Sequence, residues 1–121
     1  MTRPILLYVI GTIFALIGVA GLVSPQFVVT PVGITLPDRT ARSEIRAVYG
    51  GMCLGIGVFL ILAGAHSPLH HAGLALSALM LWGLVLGRVL ALALEGNPRR
   101  VIWIYFAIEL AGALASTVLL V

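Results

Sequence analysis

The sequence predicts an all-α membrane protein: a bundle of four transmembrane helices with a long Pro-rich first link. Three observations carry this. Of 121 residues, 61% are apolar and 9% are charged, whereas a soluble domain carries about 25% charged residues. Four apolar runs each approach the length of about twenty residues that a spanning helix needs. Those runs are continuous, not alternating, which selects helices over a β-barrel. So few charges cannot cover the surface of a water-soluble globule this small. A soluble enzyme, a disordered tail and a nucleic-acid-binding domain are thereby excluded.

The first span is read over residues 4–23. Pro4 suits a first helical turn, where its missing N–H costs nothing. The run is long for the apolar part of a cleaved leader and lacks a small-x-small cleavage pattern, so it reads as a retained span. The first link, Ser24 to Arg46, holds Pro25, Pro31 and Pro37. Its Phe27-Val28-Val29 and Val32-Gly33-Ile34 segments are too apolar for a solvated loop. The link is expected on the membrane interface or folded back over the bundle. Asp38 or Thr40 is positioned to cap a helix that starts in water and runs into the second span.

The second span covers 47–65, the third 72–94 and the fourth 101–121. Tight turns at His66–His71 and Glu95–Arg100 should make these three antiparallel neighbours. Gly51-x-x-x-Gly55 and Gly83-x-x-x-Gly87 have the spacing that lets helices approach closely, within the bundle or between copies. The whole chain reads as one domain.

All seven basic residues are arginines. Arg39, Arg42, Arg46, Arg99 and Arg100 fall at one end, and Arg3 and the termini at the other. The positive-inside rule then places the arginine-rich links in the cytoplasm. The lone Cys53 reads as a buried thiol, since one cysteine forms neither a disulfide within the chain nor a metal cluster. His66, His70 and His71 have no acidic or Cys neighbour in sequence and read as residues of an interfacial turn, so no metal and no cofactor are expected. Trp103 and Tyr105 read as interfacial anchors, and Trp82 needs a partner for its N–H or faces lipid.

The ionisable residues inside the spans are the candidate site. At a rise of about 1.5 Å per residue, Arg88 lies about 9 Å and Glu109 about 12 Å from the arginine-rich side. Arg46 and Tyr49 open the second span on that side. An ionised group in a bilayer seeks a partner. Arg88 with Glu109 is the expected pair, and Arg46 with Glu109 the alternative. Three roles stay open for this group: a polar knot fixing helix register, the lining of a pocket for a polar headgroup, and an interface with a partner's charge. No nucleophile elbow, phosphate-binding loop or dinucleotide fingerprint is present.

The run Ser43-Glu44-Ile45-Arg46-Ala47-Val48-Tyr49-Gly50-Gly51, followed by Gly55-Ile56-Gly57, combines with Gly87-Arg88, the Gly96-x-Pro98 turn and Glu109-Leu110. In order and spacing these motifs resemble a bacterial family of four-span membrane proteins, domain of unknown function 4345. The resemblance covers most of the chain, from the first span through Glu109. It implies the same fold and shared polar positions at Glu44, Arg46, Arg88 and Glu109, and it implies no activity.

The expectation is a non-enzymatic binding or accessory protein of the bacterial inner membrane, with Arg46, Arg88, Glu109, Glu44 and Tyr49 as its polar centre. The alternatives are a small oligomeric proton-coupled transporter or channel, and a membrane enzyme on a lipid or isoprenoid substrate. Membrane lipids, an amphipathic ligand, further copies of the chain and a partner membrane protein are the candidate partners.

Overall fold

A computed structural model describes residues 2–121. The described chain is helical and holds no strand. Helix α1 spans Thr2–Val23, α2 Pro25–Val29, α3 Arg39–Ile45, α4 Cys53–Ala65, α5 His70–Glu95 and α6 Arg100–Leu120. A π-helical segment, Arg46–Met52, joins α3 to α4, so Arg39–Ala65 forms one continuous rod. Four helices are long and apolar enough to cross a membrane: Thr2–Val23, Arg39–Ala65, Ser67–Glu95 and Arg100–Leu120.

The element boundaries follow local chemistry. Asp38 caps α3, its carboxylate accepting from the Ala41 amide at 2.9 Å. That satisfies one of the amides a helix start leaves without a partner. Pro25 opens α2 in the first turn, where proline is tolerated. The first link ends its helical part at Gly33, in the left-handed region with φ 83°. It folds back over the bundle: Val29 is 1% exposed, and a Cβ on Gly33 would meet the Arg99 guanidinium carbon at 2.8 Å. The two arginine-rich links therefore touch.

The helices pack as two pairs. In the first, α1 lies against α4 and the π-helical segment. Glycines make this contact. A Cβ on Gly18 would fall 2.4 Å from the Leu54 amide nitrogen, and one on Gly57 would fall 2.4 Å from that of Ala15. Gly21 and Gly50 extend the approach toward the arginine-rich end. In the second pair, α5 lies against α6. Leu7, Ile10, Leu60, Ala63, Leu74, Leu81 and Ala113 form the buried core where the pairs meet. This core sits toward the end holding the termini. Many other large apolar side chains point outward, Leu79 at 76% and Leu86 at 69% exposure among them. Outward-facing apolar residues are what lipid tails require of spanning helices.

Two expectations are corrected here. A short turn does not by itself give close packing: α4 packs chiefly on α1, across the long first link, and only lightly on α5, to which the His66–His71 turn joins it. The reason is that glycines permit backbone approach along α1 and α4, whereas the close approach that a glycine of α5 makes to α4 is at Gly73, where a Cβ would lie 2.8 Å from that of Ala63. The Gly51/Gly55 and Gly83/Gly87 pairs also do not pack within the chain. A Cβ on any of the four would meet nothing within 4 Å. They lie on outer faces, away from the helix–helix seams.

Candidate functional site

The polar residues of the spans separate into two regions. The first joins α5 to α6. Arg88 lies seven residues before the end of α5, and Glu109 lies nine residues into α6. Because the helices run antiparallel, the two residues meet at one depth. Arg88 donates from Nε to one Glu109 carboxylate oxygen and from Nη2 to the other at 2.6 Å. This is a fork-to-fork pair, the geometry in which arginine holds a carboxylate most firmly. The side chains are 24% and 14% exposed. The guanidinium also stands 5.7 Å from the centre of the Tyr105 ring, within cation–π range. Among the described residues this is the one ion pair.

Two further bonds tie α6 to its surroundings. Trp82 donates its indole N–H to the Thr117 hydroxyl at 2.8 Å, which resolves its need for a partner. Trp103 donates to the Asn97 amide oxygen at 2.8 Å, anchoring the turn before α6. The space beside Arg88, walled by Leu92, Pro98, Ile102 and Phe106, holds only about 30 Å³. That is on the scale of one water molecule.

The second region is an open groove at the arginine-rich end, lined by Leu22, Arg39, Arg42, Ser43, Arg46, Ala47 and Gly51. Its volume is about 410 Å³. At 3.6 residues per turn, Arg39, Arg42, Ser43 and Arg46 project within about 100° of arc. Arg46 is fixed there: its Nε donates to the Leu22 carbonyl at 2.9 Å, satisfying an acceptor left open at the end of α1.

The structure thus brings together Arg88 and Glu109, the expected pair, and parts Arg46 from them. Arg46 has turned to α1 because Gly21 and Gly50 bring the start of its span against that helix. Glu44 is exposed and joins no ion pair. Two residues from Arg46, it faces another side of the helix. Tyr49 lies in the π-helical segment, 37% exposed.

Cys53 is buried and donates to the Val48 carbonyl at 3.5 Å, as a structural thiol does. His70 contacts the Gly64 carbonyl at 3.1 Å and so ties the turn before α5. No group of His, Cys, Asp and Glu among the described residues could hold a metal ion.

Two features escape a reading of the sequence. One is the π-helical segment, whose only sequence signal is the Gly50-Gly51 pair; such segments recur at functional sites. The other is the pair of hydroxyls on Ser77 and Ser116. Each lies one turn beyond the Leu81–Gly112 contact of α5 with α6, fully buried and without a hydrogen-bond partner among the described residues.

No curated protein and no solved structure matches the chain. The family model described as domain of unknown function 4345 matches residues 3–120. With nearly every residue covered, and with the arginine entry to the second span, Gly87-Arg88 and Glu109 all inside that match, the chain belongs to the domain of unknown function 4345 family.

Proposed function

We propose that this chain is a small non-enzymatic integral protein of the bacterial inner membrane. It acts by binding or as an accessory subunit, and its arginine-rich links face the cytoplasm. The Arg88–Glu109 pair is its polar centre and fastens α5 to α6. One observation carries the reading: both oxygens of Glu109 are engaged by a single guanidinium. A general acid or a proton carrier needs a carboxylate that can release its partner and reach substrate or water. Here the partner is a permanent cation, and the space beside it holds about one water. The small size and the missing catalytic motifs support the same reading. The orientation rests on the excess of arginine at one end.

Native mass spectrometry of the gently extracted full chain tests this. A reproducible mass for a partner protein or a discrete bound molecule is the expected result. A bare chain carrying only loose lipid, in several mild detergents, overturns it. A parallel proton-flux measurement in proteoliposomes addresses transport. Flux that requires Glu109, lost in Glu109→Gln while the protein still folds, would replace the proposal with a proton-coupled carrier.

A further inference from the structure

The arginine groove is chemically incomplete. Arg39, Arg42 and Arg46 converge on it with no carboxylate within ion-pair distance among the described residues. The acidic residues nearest in sequence are directed elsewhere. Asp38 caps α3, and Glu44 lies on another side of the turn. Three guanidiniums gathered on one arc repel one another, and an anion between them removes that repulsion.

The groove also has a direction. Its charged wall comes from α3 and the first π-helical residue, and its apolar wall from Leu22, Ala47 and Gly51. Leu22 ends the first span, and Ala47 and Gly51 begin the apolar part of the second. The lining therefore passes from cation to hydrocarbon at the level where a span leaves the headgroup layer. Gly51 leaves the floor open, since a Cβ there meets nothing within 4 Å. Arg46 is held at the groove by its bond from Nε to the Leu22 carbonyl, and its two Nη groups make no hydrogen bond within the described residues.

From this juxtaposition we propose that the groove binds the phosphate headgroup of an anionic amphiphile. Arg39, Arg42 and Arg46 hold the phosphate oxygens, Ser43 supplies a hydroxyl, and the tail leaves over Leu22, Ala47 and Gly51. Phosphate is favoured over a single carboxylate because it offers more oxygens, and more charge, to several planar donors at once. The inference takes the helices as membrane-spanning, and it does not use the Arg88–Glu109 pair.

The test is calorimetric titration of the full chain in a neutral detergent. The probes are short-chain phosphatidic acid, phosphatidylcholine of the same chain length, and inorganic phosphate. Phosphatidic acid should bind saturably, one per chain, and more tightly than either of the others by about tenfold, a difference of one charge-assisted hydrogen bond. Arg42→Gln and Arg39→Gln, at residues whose side chains make no hydrogen bond within the chain, should each weaken it by about tenfold with an unchanged melting temperature. Gly51→Leu should weaken phosphatidic acid and leave inorganic phosphate unaffected. Equal binding of phosphatidylcholine, or wild-type affinity in both arginine variants, overturns the site. Inorganic phosphate binding as tightly as phosphatidic acid, or indifference to Gly51→Leu, overturns the amphiphile and leaves a free anion. A chain that stays dispersed without detergent overturns the membrane reading instead, and that result is visible before any titration.

Discussion

Arg88 and Arg42 are the same residue in opposite circumstances. Arg88 lies within a span and meets a carboxylate in a two-bond fork. Arg42 lies one turn outside the apolar run, beside two more arginines and no acid within ion-pair distance. The first position neutralises itself and holds two helices together. The second leaves its charge available. In the reading proposed above, the paired Arg88 is the structural arginine and the unpaired Arg42 is the one offered to a ligand.

The largest effect that would break this contrast is on stability. Arg88→Ala leaves Glu109 without its partner and should cost about 3–5 kcal/mol, read as a fall in the melting temperature of the purified protein. Adding Glu109→Ala should recover part of the loss. Strictly additive losses would show that the pair is not coupled. Next comes the glycine seam, where a filled position meets an open one in the same way. Gly18→Ala places a methyl against the Leu54 backbone and should cost about 1–3 kcal/mol by thermal melting. Arg88→Lys keeps the charge but loses the fork, and should cost roughly 1 kcal/mol in the same assay. The smallest effects should come from the open positions. Arg42→Gln and Gly51→Ala should each leave stability within about 0.5 kcal/mol. A large loss in Arg42→Gln would mean that the groove is part of the frame, and the contrast would fail.

The Arg88–Glu109 pair is legible in the sequence. Two ionisable residues at similar depth on helices joined by a short turn have few other partners, and a bilayer leaves little else to satisfy them. The Asp38 cap is legible for the same local reason, an acidic side chain three residues before an open amide. Arg46 is not legible. Its depth allows Glu109 as a partner, yet its actual acceptor is the Leu22 carbonyl, 24 residues away on another span. Nor do the glycines declare their roles. Gly51 and Gly55 have the spacing of a helix–helix seam and face outward. Gly11, Gly18, Gly21 and Gly57 form the seam that exists.

Composition, run length and charge position determine by themselves that the chain is a set of four apolar helices, roughly where each turns, and that Glu109 needs an arginine partner. These follow from solvation, which acts on each segment wherever it sits. Only the tertiary structure decides which helix faces of α1 and α4 come together, that Arg46 turns to α1, and that three arginines share one groove. Those depend on the rotation of each helix about its axis. Residues of near-equal hydrophobicity on every side leave that rotation open until backbone meets backbone.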